Sequence, residues 1–246
     1  MATNKKIVLD IETVPGPPMD IVFGGKYFTA LPKLATTIEK AQENPSPEML
    51  EKIAGLNDEV CKAASLDFMF GRIVCIGTMT PKSKTILEKA FSDLEDEAGL
   101  LKRFWEFIVE ENVPQKTITF NGIEFDLPYL YFRSMINGIE IPWGNLSLRR
   151  YSYTPHFDVM QAVVFWGFRK WKSLNVVAKL FGYKGDCEYD GSWVSKWAAT
   201  GQQNLIEEYC LEDCRRTLFV YNQLKQYFPA FSGKKRTSGK GASSVY

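Results

Sequence analysis

The sequence predicts an α/β fold built on a mixed five-stranded sheet flanked by helices. Short runs of β-branched and aliphatic residues recur along the chain, separated by stretches whose apolar residues fall at helical spacing. Their order is three strands, helix, strand, helix, short strand, helix, a pattern that argues for a mixed sheet. The length of 246 residues, with 45% hydrophobic and 24% charged residues, suits one large domain or one domain with an insertion.

The first strand is Lys5 to Glu12, where Ile7, Val8, Leu9 and Ile11 are strong strand formers. Val14 to Pro18 (VPGPP) then breaks regular structure. Asp20 to about Asp67 is polar, with short helices expected over Leu34–Gln42 and Pro47–Ala54, the second opened by Ser46 with proline at its first position. Its thin apolar content reads as an insertion at about 15–67 within a single domain of residues 1–231. Arg72–Thr80 is the second strand and Lys84–Phe91 the third. Asp93–Asn112 is an amphipathic helix with Leu100, Leu101, Phe104, Phe107 and Ile108 on one face. Thr117–Phe120 is the fourth strand, and Asp126 is expected to cap a helix that runs to Ile136 and closes at Asn137-Gly138. His156–Met160 is a short fifth strand, and Ser173–Phe181 and Gln202–Tyr227 are helices. From Ser232 to Tyr246 the composition of Ser, Gly and Lys predicts a disordered basic tail.

Charge and cysteine usage exclude several classes. The tail holds Lys234, Lys235, Arg236 and Lys240 and no acid; removing these four cations from the net charge of +1 leaves −3 on the rest. A nearly neutral body does not announce a large nucleic-acid patch, but metal-binding carboxylates offset basic residues elsewhere. The five cysteines include no Cys-x-x-Cys and the chain has one histidine, so a zinc site is not expected and reduced thiols are. The longest apolar run, Ala162 to Phe168, is roughly seven residues against the about 18 of a membrane span. Only Ile7-Val8-Leu9 separates Lys5-Lys6 from Asp10, too short for a signal peptide, which predicts a cytoplasmic protein without a membrane partner.

Acids in three places need explaining. Asp10 and Glu12 end an apolar strand and, two apart, point to one face of it. Two carboxylates that close repel, and one takes up a proton unless a cation sits between them; taken alone they are equally a strand ending in polar residues. Asp126 follows a strand, the Asn121-Gly122 turn and Phe125, and alone it is an ordinary cap. Tyr209 and Asp213 share a helix face with Ile206, Cys210, Thr217, Val220 and Leu224, a stripe read as buried. A carboxylate there needs a basic side chain or a metal as partner, whereas Glu208 and Glu212 lie beside the stripe, open to solvent or Arg216. Together four acids and a tyrosine converge at one end of a sheet. Oxygen donors without His or Cys select Mg²⁺ or Mn²⁺, and two such ions about 4 Å apart can activate a water and stabilise the leaving oxygen of a phosphodiester.

Asp10-Ile11-Glu12-Thr13, Asn121-Gly122-Ile123-Glu124-Phe125-Asp126 and Tyr209-Cys210-Leu211-Glu212-Asp213 resemble the three motifs of the DEDD 3′–5′ exonucleases, and the tyrosine four residues before the last aspartate resembles the DEDDy branch. Asp190-Gly191-Ser192-Trp193-Val194, with Ile206 and Tyr209-Cys210, is similar to stand-alone exonucleases related to the proofreading domain of family B DNA polymerases. The resemblance spans about residues 5 to 226 and implies an RNase H-like, DnaQ-like fold and a 3′–5′ exonuclease that releases 5′-mononucleotides from single-stranded DNA with two divalent cations, Mg²⁺ or Mn²⁺. It implies that Asp10, Glu12 and Asp213 hold the metal that activates water, that Asp10 and Asp126 reach the second, and that Tyr209 orients the water. Thr13, Asn121 and Phe125 would line the terminal nucleotide, and replication or repair proteins would be partners. RNA 3′ ends and a catalytically silent binding module are the alternatives; the first has no residue that marks it, and the second needs a missing acid.

Two further stretches carry both a functional and a plainer reading. Phe165, Trp166, Phe168 and Trp171 alternate with Arg169, Lys170 and Lys172, as a single-strand platform does and as an amphipathic cover over the core also does. Arg149, Arg150, Tyr151 and Tyr153 read the same two ways. His156 reads as structural, and Cys210 and Cys214 as packing.

Overall fold

A computed structural model describes residues 6–16, 30–43, 46–82, 85–111, 116–142, 146–185 and 188–228. The tail expected at 232–246 and the 17–29 part of the insertion lie outside the described residues. Five strands, β1 (Lys6–Pro15), β2 (Gly71–Pro81), β3 (Ile86–Ser92), β4 (Lys116–Thr119) and β5 (His156–Asp158), form one sheet in the order β3-β2-β1-β4-β5. β1 pairs antiparallel with β2 and parallel with β4; β2–β3 is antiparallel and β4–β5 parallel. The mixed sheet expected from the order of elements is what the chain forms.

β1 is central and buried on both faces, which is why its apolar run is nearly continuous. Ile7, Leu9 and Ile11 pack under α3 (Glu97–Glu110) and α4 (Asp126–Ile136) with Leu100, Leu101, Phe104 and Leu127. Val8, on the other face, packs with Met79, Ile118, Cys214, Leu218 and Tyr221, the last three from the long helix Gln203–Leu224. Side-chain alternation therefore sends Asp10 and Glu12 toward that helix.

Between β1 and β2 lie α1 (Ala30–Glu43) and α2 (Pro47–Ser65), which pack together through Leu34 and Val60. Ser46 caps α2, accepting from the Met49 N–H at 3.2 Å, with Pro47 next, as its sequence predicts. The helix runs eleven residues past the expected Ala54 to Ser65, because Leu56, Val60 and Ala64 continue the inward spacing. The end of α2 is bolted down: the Ser65 carbonyl accepts from Thr13 Oγ1 and from the Tyr129 hydroxyl, both at 2.6 Å. The fifth strand stops at Asp158 rather than Met160. The Asp158 carboxylate accepts from the Met160 and Gln161 N–H groups at 3.0 and 3.1 Å and so starts α5 (Val159–Val163). α6 (Leu174–Leu180) begins at its Ser173 cap. The helix α7 (Ser192–Ala199), where no element was expected, buries only Val194 and Trp197 before α8 (Gln203–Leu224). Among the described residues no helix is long and apolar enough to cross a membrane.

Candidate active site

Asp10 lies opposite Gly77 of β2, and Glu12 opposite Cys75; the pairing slips just after Glu12. Gly77 lets α8 approach: a methyl there would stand 2.9 Å from Cys210 Sγ and 3.2 Å from Cys214 Sγ. Cys210 consequently reaches β1, its thiol donating to the Asp10 carbonyl at 3.5 Å and to Asp10 Oδ2 at 3.6 Å. Among the described residues, ligand atoms of Asp10, Glu12 and Cys210 lie within 4.8 Å of one another. Burial pushes both carboxyls well above the usual carboxylate range. For Asp10 the charges of Asp213 and Asp126 add to this; for Glu12, those of Asp10 and Asp213.

Asp126 arrives by way of the turn after β4. Asn121 takes a positive φ of 69°, and the Asn121 and Ile123 N–H groups donate to the Asp158 carboxylate at 3.0 and 3.1 Å. Gly122 N–H donates to Thr119 Oγ1 at 3.1 Å. That hydroxyl also meets His156 Nε2 at 2.8 Å, while His156 Nδ1 lies 3.0 Å from the Ser147 carbonyl. A carbonyl only accepts, so Nδ1 carries the proton and Nε2 accepts from Thr119. Buried and closed on both nitrogens, His156 is a structural residue of this turn. The expected capping role of Asp126 is not what the chain forms: Phe125 is the cap, without a side-chain bond, and Asp126 is the first residue of α4, 2% exposed. Its carboxyl is instead turned to β1, near the Ile11 N–H, beyond the last β1–β4 pair at Val8 and Ile118. Burial, and then the charges of Asp158 and Asp213, push it up to about 8 against the pull of backbone hydrogen bonds.

Asp213 and Tyr209 come from α8, where they stand half-buried at the edge of the buried stripe of Ile206, Cys210 and Cys214 rather than within it. The partner that Asp213 requires is Arg216, one turn on, whose Nη1 lies 2.5 Å from Asp213 Oδ1. Arg216 is itself buried, donates to Asn175 Oδ1 at 2.9 Å, and sits 3.5 Å from Glu212 Oε1. The Tyr209 hydroxyl, one turn before Asp213, favours the ionised form of its carboxylate. Burial raises the Asp213 carboxyl to about 6, against the lowering by Arg216 and Tyr209. Burial and then the Asp213, Glu12 and Asp10 charges push the Tyr209 phenol up. Asp126 and Asp213 act on Asp10 through their charges but stand outside the compact group of Asp10, Glu12 and Cys210. The ion pair with Arg216 holds Asp213 toward α8.

A cleft of about 600 Å³ opens beside Glu12, lined also by Thr13 and Phe125. Asn121 is not on its wall; its buried Oδ1 has no hydrogen-bond partner among the described residues. The Thr13 hydroxyl is committed to the Ser65 carbonyl. In the aromatic stretch, Ala162 and Val164 are buried in the core, as a covering segment requires, yet Phe165, Phe168 and Trp171 are exposed. Trp166 donates to the Tyr153 hydroxyl at 2.9 Å and packs against Tyr151 with ring centroids 5.3 Å apart. Asp158 shapes the site without standing out in the sequence; Arg216 reads there as a partner for Glu208 and Glu212, which its 3.5 Å approach to Glu212 bears out, but not as the partner of Asp213. The signal for that pairing is its place as an i+3 neighbour on the face of Asp213.

A five-stranded mixed sheet with acids gathered where β1, the β4–α4 turn and α8 meet defines an RNase H-like nuclease fold. The family described as "Predicted 3'-5' exonuclease related to the exonuclease domain of PolB" matches residues 65–238, and the chain belongs to this family. The matched stretch takes in Asn121, Asp126, Tyr209 and Asp213; Asp10 and Glu12 precede it. The chain is 24% identical over 165 residues to a DNA polymerase of Pyrococcus glycovorans, covering 60% of this chain and 20% of that protein. The family B DNA polymerase of the hyperthermophilic archaeon Pyrobaculum calidifontis shares its fold, with a TM-score of 0.58 at 19% identity over 90% of this chain and 24% of that one. This chain therefore spans about a fifth to a quarter of these relatives.

Proposed function

We propose that this chain is a metal-dependent 3′–5′ exonuclease that removes nucleotides from single-stranded DNA ends as 5′-mononucleotides. The observation that carries the reading is the surplus of negative charge gathered at this end of the sheet: buried Glu12 and Asp126 and half-buried Asp10 and Asp213 act on one another electrostatically, and Arg216 is paired to Asp213. Oxygen donors of this kind suit a hard divalent cation, Mg²⁺ or Mn²⁺, which would hold all four acids ionised. Asp10, Glu12 and Asp213 would hold one ion, and Asp10 and Asp126 a second. When bound, such ions supply the Lewis acidity that makes a nucleophile of water at neutral pH and neutralises the departing oxygen.

The chain's own residues do the rest. With its pKa raised, Tyr209 stays protonated at neutral pH, so its hydroxyl orients a water rather than taking a proton from it. Arg216 and Tyr209 both favour the ionised form of Asp213. Cys210 steadies Asp10 from behind. Phe125 and Thr13 flank the cleft that Glu12 lines, placing the terminal nucleotide against the acids, with Asn121 on the adjoining turn. The test is degradation of matched 5′-labelled DNA and RNA oligomers. The DNA ladder should shorten from its 3′ end with Mn²⁺ or Mg²⁺ and stop in chelator. Full turnover in excess chelator overturns the metal-dependent reading, and faster RNA decay overturns the substrate.

A further inference from the structure

The acids that would perform the chemistry repel the strand they act on. Beyond the phosphate being cut, the backbone must meet positive charge from elsewhere. The cleft beside Glu12 shows where. It runs between α2 on one side and α7 on the other, and its lining includes one lysine from each, Lys62 and Lys196. We propose that Lys62 and Lys196 hold the backbone phosphates of the strand entering the cleft, which makes α2, in the stretch between β1 and β2, part of the substrate-binding surface. This rests on the exonuclease reading above and extends it to residues outside the three acid motifs.

The placement of Lys62 is built in, not incidental. The last turn of α2 is tied to β1 next to Glu12, through the bond from Thr13 Oγ1 to the Ser65 carbonyl, and to α4 through Tyr129. Ser65 Oγ in turn donates to the Lys62 carbonyl at 2.9 Å. The backbone that carries Lys62 is thus fixed relative to Glu12, while its side chain is exposed. Lys196 is exposed as well, with Nζ 4.6 Å from the Trp193 ring centroid. Neither lysine forms an ion pair among the described residues. Of the acids that line the cleft besides Glu12, Asp58 stands one turn before Lys62 on α2, and Asp190 has its carboxyl held below its usual range first by the Ser192 hydroxyl and N–H, then by the Lys62 and Lys196 charges. Ser192 pins Asp190 to the start of α7, with bonds of 2.5 and 2.9 Å. Both lysines line the same cleft and, with no ion pair among the described residues, are open to a phosphate. Two cations on separate walls of a cleft that Phe125 and Glu12 also line match what a single strand requires: charge for the backbone and a ring face for the base.

The experiment measures binding apart from turnover. A 5′-fluorescein oligothymidylate is titrated with the full chain in chelator, by anisotropy, over a series of salt concentrations. Lys62→Ala and Lys196→Ala should each weaken binding and lower the slope of log K against log salt by about 0.7, the loss of one single-strand phosphate contact. Lys62→Arg should restore the slope, and Lys102→Ala, on the outer face of α3, should leave it at the parent value. In single-turnover cleavage with Mn²⁺, both alanine variants should raise the half-saturating enzyme concentration and leave the maximal rate unchanged. A parent-like slope in either alanine variant overturns the two-walled clamp, as does a slope lowered equally by Lys102→Ala. If the parent binds with the expected lysine dependence yet never cleaves, the clamp stands and the exonuclease reading falls.

Discussion

Two sets of buried charge flank the sheet, and they are built on opposite plans. Between α3 and α4, Glu97 is closed on all sides. It accepts from the Ile73 N–H at 2.7 Å, from Arg133 Nε at 3.0 Å and Nη2 at 2.7 Å, and from Asn137 Nδ2 at 3.1 Å. Glu97 and Arg133 side chains are 8% and 7% exposed, one acid against one base. Between β1 and α8, Asp10, Glu12 and Asp213 act on one another as like charges, against Arg216 on Asp213 and the Cys210 thiol on Asp10. A buried charge closed by its own partners holds the fold together. A buried set with surplus charge is kept for something that arrives from outside the chain.

The comparison breaks most sharply by neutralising one acid in each set. Asp10→Asn removes a charge but little volume, so exonuclease activity should fall on the order of a thousandfold or more, the several kcal/mol that metal-assisted chemistry supplies. Its melting temperature in chelator should equal or exceed the parent's, because a like-charge repulsion is relieved. Glu97→Gln should do the reverse. Leaving Arg133 buried without its counter-charge costs about 3–5 kcal/mol, while activity per folded molecule stays at the parent level. Calorimetry and single-turnover cleavage on both variants decide the matter. A destabilised Asp10→Asn with normal cleavage would show that the acid set is structural too.

How much of this was legible in the sequence follows the same division. β1, α3 and α8 announce themselves because their apolar residues keep strict spacing over a whole element. Asp10, Glu12 and Asp213 stood out for breaking that pattern. α7 did not, since two buried residues, Val194 and Trp197, make no periodicity. Asp158 went unmarked and Arg216 was matched to Glu208 and Glu212 alone, for different reasons. Asp158 acts on Asn121 and Ile123, 37 and 35 residues away in sequence, a distance no local spacing reports. Arg216 reads as a partner for the acids beside the stripe; the helix sends Arg215 out to Glu88 and Glu208, and turns Arg216 in to Asp213 with Glu212 3.5 Å away. Only the capping role read for Asp126 fails: an acid at a helix start is most often a cap, but here Phe125 holds that position and the carboxyl faces β1 near the Ile11 N–H.

Tyr209 sharpens the comparison within the open set, because it carries no charge. Its hydroxyl favours the ionised form of Asp213, and its ring packs near Trp197, with centroids 6.0 Å apart. Tyr209→Phe keeps the ring and deletes the hydroxyl. The single-turnover rate should fall roughly a hundredfold, the low end of what a positioned proton-handling group contributes, with stability changed by no more than about 1 kcal/mol. The Mn²⁺ concentration for half-maximal rate should stay put, whereas Asp213→Asn should raise it. Cleavage at the parent rate would reduce Tyr209 to a packing residue.

The smallest effect belongs to His156, a closed site without charge. Burial lowers its pKa from 6.5 to about 4, partly opposed by the Ser147 carbonyl. Between those two values the unfolded chain binds a proton that the folded chain refuses, so stability rises with pH across that window and is lost as pH falls through it. From pH 7 to pH 5 the loss attributable to this group is about 2 kcal/mol. The raised carboxyls of the open set act in the opposite sense, since they take up protons in the folded state and gain stability as pH falls. The parent's profile is the sum of the two, and the difference between parent and His156→Gln isolates the histidine. The variant should be less stable at pH 7, where the Thr119–His156–Ser147 chain is lost, and the gap should narrow by about 2 kcal/mol at pH 5. Denaturant titrations in chelator at the two pH values measure it. A gap that stays constant would mean that His156 takes up its proton in the fold as readily as in the unfolded chain, and that the turn carrying Asn121 does not depend on a neutral imidazole.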